Sequence, residues 1–183
     1  MFSSDGIKSA SKAVNLRLRV KTPWLGERRA KDIRQFDISK IGDKTYLFLD
    51  LVRWRWAIKE ALDCMGILKD TDIDYIGLPA TIPAPAIRMY KRRWDNKNPQ
   101  HQEMFQCIQA NTIITIPITI LSSFPDNPMA AALGTRPPTE EELIRCFAII
   151  GESIGLSPFG SRFGYGRFDV EQGKPQNDDN SDS

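Results

Sequence analysis

The segment from residue 139 to residue 170 constrains the fold most, because it joins a helix, a glycine-rich loop and a strand in direct succession. Thr139 follows two prolines and precedes Glu142 by three residues, which is the capping-box pattern of a helix N-terminus. Apolar residues then recur at helical spacing up to Ile154, so one face of this helix is predicted to be buried. Gly151 lies on that face and should permit a close approach to a sheet.

Glycines, arginines and aromatic residues alternate in the loop that follows this helix and in the start of the next strand. Glycine permits positive φ and lets a phosphate reach backbone N–H groups, while an arginine can clamp the same anion through two hydrogen bonds. Tyr165 is predicted to stack beside Arg167, and Phe168 is predicted to lie in the core. The predicted ligand contacts are Gly155, Gly160, Arg162, Gly164, Tyr165, Gly166 and Arg167. The alternative is that the glycines only form a tight turn and a bulge.

Near the N-terminus, residues 14–21 alternate between apolar and polar side chains, with valine or leucine at each even position up to Val20. Such alternation predicts a half-buried strand. Its outer face carries Arg17, Arg19 and Lys21. Arg17 and Arg19 are predicted to contact an anionic ligand, and the alternative is an ordinary solvated face.

The densest basic segment spans residues 86–97, where cations are interleaved with Tyr90 and Trp94. Cations beside aromatic rings suit single-stranded nucleic acid, because the cations meet phosphates while the rings stack on bases. The predicted contacts in this segment are Arg88, Lys91, Arg92, Arg93 and Trp94. The alternative is a solvated hairpin arm.

The remaining segments complete the set of predicted elements. In chain order they are a polar loop over residues 22–43, a strand over 46–51, a helix over 54–65 that ends near Gly66, and a strand over 104–121. Pro117 cannot donate a hydrogen bond to a neighbouring strand, so the last of these strands is predicted to lie at a sheet edge or to contain a bulge. The order of elements predicts an α+β fold, a ferredoxin-like βαββαβ antiparallel sheet with two helices on one face and an extra N-terminal strand. The open face of such a sheet can bind single-stranded RNA.

Length and composition predict one folded domain. The chain has 183 residues, of which 41% are hydrophobic and 26% are charged, as in ordinary soluble proteins. We expect a flexible N-terminus over residues 1–13, a single domain over 14–170 and a disordered acidic tail over 171–183. The longest apolar run is too short to span a membrane. The first residues lack the apolar core of a secretory signal, so the expected location is the cytoplasm, or the host cytoplasm for a viral protein.

Several kinds of site are excluded by the residue counts. The three cysteines are isolated and His101 is the only histidine, so neither a structural zinc site nor a disulfide framework is predicted. Asp70, Asp72 and Asp74 resemble the start of a calcium loop, but the glycine and the glutamate that such a loop needs further along are missing. No catalytic, metal-binding or cofactor-binding residue is therefore assigned.

The end of the chain resembles the RAMP superfamily, the RNA-binding proteins of CRISPR systems, which have related proteins in phage genomes. The resemblance rests on a glycine-rich loop after the second helix and on its G-x-G-R-F ending. The matching residues are Gly155, Gly164, Gly166, Arg167 and Phe168. The resemblance implies RNA contact through the loop backbone and nearby cations, and protein partners within a ribonucleoprotein.

The predicted function is non-enzymatic binding of RNA or single-stranded DNA through a basic sheet face and the glycine-rich loop. Two alternatives stay open. In the first, the chain is a ribonuclease, either metal-independent through His101 or Mg²⁺-dependent through the three aspartates from Asp70 to Asp74. In the second, it is a nucleotide-binding or protein-interaction module, in which the loop grips a mononucleotide or another subunit.

Overall fold

The computed structural model describes residues 11–93, 102–121, 134–157 and 163–171. Within these ranges, twelve β-strands form three sheets, which we name A, B and C, and two α-helices pack together. The strands are β1 (Ser11–Val20), β2 (Trp24–Leu25), β3 (Arg28–Ala30), β4 (Ile33–Gln35), β5 (Ile38–Ile41), β6 (Lys44–Phe48), β7 (Ile76–Gly77), β8 (Thr81–Pro83), β9 (Ile87–Arg93), β10 (Gln102–Ile108), β11 (Ile113–Leu121) and β12 (Phe168–Glu171). The helices are α1 (Leu51–Cys64) and α2 (Glu140–Ile149), and α2 continues as a π-helical turn over Ile150–Ile154.

Sheet A has the strand order β12–β1–β11–β7 and is antiparallel throughout. The alternation predicted for β1 is confirmed, because the even-numbered residues from Val14 to Val20 are buried and the residues between them are more exposed. β11 alternates in the same way, with isoleucine buried at positions 114, 116, 118 and 120. At Pro117, β11 pairs only with β1, since β7 reaches only Thr119 and Ile120. Pro117 therefore stands at a sheet edge, as predicted.

Both helices begin at a side chain that caps the free N–H groups of the first turn. At α1, the Asp50 carboxylate accepts a hydrogen bond of 3.1 Å from the backbone N–H of Arg53. At α2, the predicted capping box is present, with the Glu142 N–H donating to the Thr139 hydroxyl at 3.1 Å and the Thr139 N–H donating to the Glu142 carboxylate at 2.8 Å. Gly66 follows the end of α1 at φ +72°, which is the expected C-terminal cap.

One apolar core joins the helices to the inner face of sheet A. Trp54 of α1 and Phe147 of α2 are fully buried in it, with ring centroids 5.8 Å apart. Phe168 of β12 is also in this core, as predicted. Gly151 lies directly on this strand, since a Cβ at position 151 would come within 2.1 Å of the Phe168 carbonyl oxygen. The predicted close approach of the helix to the sheet is therefore confirmed.

Sheet B is built around β10, which pairs with β9 along one side and with β2 and β4 along the other. β3 and β4 form a hairpin, and β4 runs parallel to β10. Sheet C is a smaller antiparallel sheet with the order β5–β6–β8. In the described ranges, neither α-helix combines the length and the apolar content that crossing a bilayer requires.

The prediction of a ferredoxin-like fold is wrong. That fold has one sheet, whereas the strands here divide among three. The predicted polar loop over residues 22–43 contains β2 to β5, and β6 pairs within sheet C rather than joining β1. β4 has only three residues, and its partner in sheet B is the distant β10. Short strands of this kind depend on their tertiary partners, so local sequence patterns do not reveal them.

The boundaries of other predicted segments also differ. The single strand predicted over residues 104–121 is two strands, β10 in sheet B and β11 in sheet A, separated by a turn in which Asn111 has φ +67°. β1 already begins at Ser11, and β12 ends at Glu171. The rest of the predicted flexible N-terminus, residues 1–10, and of the predicted acidic tail, residues 172–183, lies outside the described residues.

Candidate nucleic-acid interface

The glycine-rich loop is fastened to the segment that follows β1. The backbone N–H of Gly166 donates to the Pro23 carbonyl at 2.9 Å. The Thr22 hydroxyl donates to the Gly164 carbonyl at 2.6 Å and accepts from the Arg167 N–H at 2.9 Å. These bonds fix the second half of the loop, so that it leads directly into β12.

Two of the glycines predicted to contact a ligand instead serve the fold. Gly155 has φ +75° at the end of the π-helical turn, and its N–H donates to the Ile150 carbonyl at 2.6 Å. Gly166 has φ +69°, and a Cβ there would lie 2.5 Å from the backbone nitrogen of Ser157. Both N–H groups already have acceptors within the chain. For these two positions the geometry favours the turn-forming alternative over phosphate binding.

Arg167, which was predicted to lie beside Tyr165, is bonded through its guanidinium to the end of α2. Its guanidinium donates to the backbone carbonyl of Glu152 in the π-helical turn. Carbonyls at a helix C-terminus lack intrahelical donors, so an arginine there is well placed to satisfy them. Arg167 thus ties the loop to the end of α2.

Tyr165 instead reaches sheet B, where it meets the basic strand β9. The guanidinium carbon of Arg92 lies 4.7 Å from the centroid of the Phe163 ring and 4.6 Å from that of the Tyr165 ring. The Tyr165 hydroxyl is 3.5 Å from that of Tyr90. Burial, and then the hydrogen bond with Tyr90, raise the pKa of Tyr165. A cation held by two aromatic rings is favourable, by about 0.5–2 kcal/mol depending on its desolvation.

The alternation of β9 explains why these groups meet. Arg88, Tyr90 and Arg92 occupy alternate positions, opposite Cys107, Phe105 and Glu103 of β10 respectively. Tyr90 and Tyr165 pack on a small second apolar cluster formed by Leu25, Phe105 and Cys107. We call the set Arg88, Tyr90, Arg92, Phe163 and Tyr165 the β9–loop surface.

β9 carries exposed cations on both of its faces. Arg88 and Lys91 are exposed, and no ion pair joins them to any other described residue. By strand alternation, Lys91 lies on the opposite face from Arg92. Elsewhere in sheet B, Arg34 donates to the Glu103 carboxylate at 2.6 Å, and the two charges of this pair offset each other. Phe163 is 46% exposed, which leaves part of its ring open to a ligand.

Arg17 and Arg19, in contrast to Arg88, form ion pairs within the chain. Both lie on the outer face of sheet A opposite β12, and both pair with the carboxylate of Glu171. The Arg19 Nε donates to that carboxylate at 2.7 Å, and an Arg17 nitrogen is 3.5 Å away. Lys21 pairs with Asp169 on the same strand. The two acids of β12 therefore offset two of the three positive charges on this face of β1, which weakens the reason for predicting an anion site there.

The structure describes no side chain for five of the residues considered as site candidates. Trp94, Gly160, Arg162 and His101 lie outside the described residues, and for Arg93 only the backbone is described. Two of the three aspartates considered as Mg²⁺ ligands have other partners: Asp72 accepts from the Asp74 N–H at 3.0 Å, and Asp74 pairs with Arg55.

Sequence reasoning missed Tyr90 and Phe163 as site residues. Tyr90 was visible as an aromatic residue within the basic segment, but Phe163 gained its role only through the docking of the loop on β9.

Comparison of the chain with models of known protein families and with curated proteins gave no match.

Proposed function

We propose that this chain binds single-stranded nucleic acid, either RNA or single-stranded DNA, at the β9–loop surface. The observation that carries the proposal is the contact of the Arg92 guanidinium with both the Phe163 and the Tyr165 ring, on the face of β9 that also carries the exposed Arg88. Arg92, one of the predicted β9 contacts, thus meets Tyr165 of the predicted loop.

The chemistry of this surface matches that of single strands. Bases stack on aromatic side chains and on guanidinium planes, while phosphates meet the cations beside them. The exposed part of Phe163 offers a stacking platform, and Arg88 supplies a charge within the same surface. Arg92 is already oriented by its two rings, so that less conformational freedom is lost when a strand binds.

The wider context is part of the proposal. A RAMP-like RNA-binding protein, acting in the cytoplasm and within a ribonucleoprotein, is proposed from the loop sequence between Gly155 and Phe168 and not from the fold. The alternatives of a ribonuclease and of a nucleotide-binding or protein-interaction module gain no specific observation from the geometry.

The proposal is tested by fluorescence anisotropy with labelled single-stranded RNA and DNA at several salt concentrations. Binding should weaken as salt rises, with a log–log slope that falls by about 0.7 for each phosphate contact removed. Arg88→Ala should therefore weaken binding and flatten this slope. Arg17→Ala is the matched control: it removes the same charge, but from a residue already paired with Glu171.

The stacking part of the proposal needs its own pair of variants. Phe163→Ala should weaken binding by about 5- to 150-fold, because stacking on one base contributes about 1–3 kcal/mol. Trp56→Ala is the control, since Trp56 is 48% exposed but belongs to α1 and not to the β9–loop surface. If Arg88→Ala and Phe163→Ala have no more effect than their controls, the β9–loop surface is not the binding site.

A further inference from the structure

A small cavity lies on the other side of β2 from the β9–loop surface. It has a volume of about 180 Å³, and its walls include the rings of Trp24, Phe36 and Trp54. A cavity of about 150 Å³ holds one benzene ring, so this one has room for a single six-membered ring. The exposed residues Arg28 and Phe48 also line it, which gives it an opening to solvent.

The polar side of the cavity is formed by Glu27 and the first turn of α1. Glu27 and Asp50 both line the cavity, and Arg53 lies next to them. The Arg53 guanidinium donates to the Ser157 carbonyl, while its Nε is buried and has no hydrogen-bond partner among the described residues. Within the same ranges, no ion pair engages the carboxyl of Glu27, which is one of the residues that line the cavity.

The protonation state of Glu27 follows from these neighbours. Burial raises its pKa to about 7, an effect that the charge of Arg53 opposes and that of Asp50 reinforces. The other charged groups around the cavity are Arg28 and Asp37, which pair with each other at 3.2 Å. A neutral carboxyl presents one O–H donor and one acceptor oxygen side by side.

We infer that this cavity takes one pyrimidine base from the bound strand, with Glu27 pairing with the edge of the base and the aromatic walls contacting its ring. Pyrimidine edges place a donor beside an acceptor, such as the amino group and ring nitrogen of cytosine, which is the complement of a carboxylic acid. Adenine offers the same donor and acceptor, so the preference rests on the volume of the cavity, which matches one six-membered ring more closely than two fused rings. The inference rests on the proposed function, because it assigns a base preference to the same strand.

The cavity and the β9–loop surface share two elements, β2 and the glycine-rich loop. Trp24 of β2 lines the cavity, whereas the next residue, Leu25, belongs to the apolar cluster beneath Tyr165. Leu156, at the start of the glycine-rich loop, also lines the cavity. The loop that carries Phe163 and Tyr165 thus begins at the cavity wall.

The test compares the full chain with Glu27→Gln and Glu27→Ala variants. Affinity for oligocytidylate and oligoadenylate is measured by anisotropy at pH 6 and pH 8.5. The wild type should prefer cytosine by about 5- to 100-fold at pH 6, as expected for one well-formed pair of hydrogen bonds, and should lose much of this preference at pH 8.5. Glu27→Gln keeps a donor and an acceptor without titrating, so its preference should persist at both pH values. Glu27→Ala should show little preference at either pH.

A second measurement separates this inference from the proposed function. Trp24 and Trp54 line the cavity, so free cytidine should quench tryptophan fluorescence more strongly than adenosine, and less so in Glu27→Ala. Loss of strand binding in Arg88→Ala reports on the β9–loop surface alone. If strands bind but Glu27→Ala keeps the wild-type base preference and the wild-type quenching, the cavity is not a base pocket.

Discussion

Replacing Gly151 by alanine should destabilise the protein, although alanine is the better helix former. The new Cβ would lie 2.1 Å from the Phe168 carbonyl oxygen and 2.8 Å from its ring, inside the 3.0 Å that real Cβ atoms keep from other atoms. Phe168 is in β12, whose position is fixed by β1, so the clash falls on paired backbone rather than on a flexible side chain.

Two opposing effects decide the size of the change. The gain in helix propensity from glycine to alanine is about 1 kcal/mol. Forcing an extra methyl group into a packed site typically costs about 1–3 kcal/mol, and we expect the upper end because backbone must move. The net loss in the free energy of unfolding should therefore be about 2 kcal/mol. For a chain of this length, that corresponds to a fall in Tm of roughly 4–8 °C.

Urea denaturation followed by tryptophan fluorescence measures this loss, because Trp54 is buried in the core near α2. Gly42→Ala is the control for strain alone: Gly42 has φ +61°, but a Cβ there would meet nothing within 4 Å. It should cost about 1 kcal/mol, the usual penalty for left-handed backbone. A Gly151→Ala variant that is as stable as the wild type, or more stable, would refute the close packing of α2 on β12.

Three further changes have defined outcomes. Thr139→Ala removes the hydroxyl of the capping box and should lower the free energy of unfolding by about 1 kcal/mol in urea titrations, whereas Thr139→Ser should be nearly neutral. Burial raises the folded-state pKa of Glu27 to about 7, so Glu27 should lower the free energy of unfolding as pH rises from about 4.5 to 7. Urea denaturation at several pH values should show this decrease in the wild type and not in Glu27→Gln. The same pH dependence in both proteins would contradict the raised pKa of Glu27. In the native protein, alkylation followed by mass spectrometry should label the exposed Cys64 and not the buried Cys146, whose pKa burial raises to about 12; rapid labelling of Cys146 would contradict its burial.

The elements that could be predicted from sequence are those whose patterns are local. The alternation in β1 reveals its buried face, and the capping box reveals the start of α2 at Thr139. The sheet arrangement could not be predicted in this way. β3 and β4 are three residues each, too short for a period-2 pattern, and they are held by pairing with each other and with β10.

The candidate site was predictable only in part, because its contacts join segments that are distant in the sequence. The basic and aromatic character of β9 is visible in the sequence, and Arg92 does meet the loop. Arg17 is a poor candidate for ligand binding because it pairs with Glu171. The two residues are brought opposite each other by the register of β12 on β1, which the sequence does not show. Glu27 carries no recognisable motif, and its importance arises from burial next to α1.

The pairing of β1 also has a consequence for the order in which the chain can fold. Both partners of β1 come late in the sequence, and Arg19 precedes its partner Glu171 on β12 by 152 residues. At synthesis rates of about 5–20 residues per second, this gap corresponds to roughly 8–30 s. Until β11 is synthesised, the ten-residue strand β1 has neither of its neighbours, and until β12 follows, one of its edges stays unpaired, which makes a nascent chain prone to aggregate. The arginines of β1 then act as gatekeepers, since charged residues within such a strand oppose its pairing with other chains.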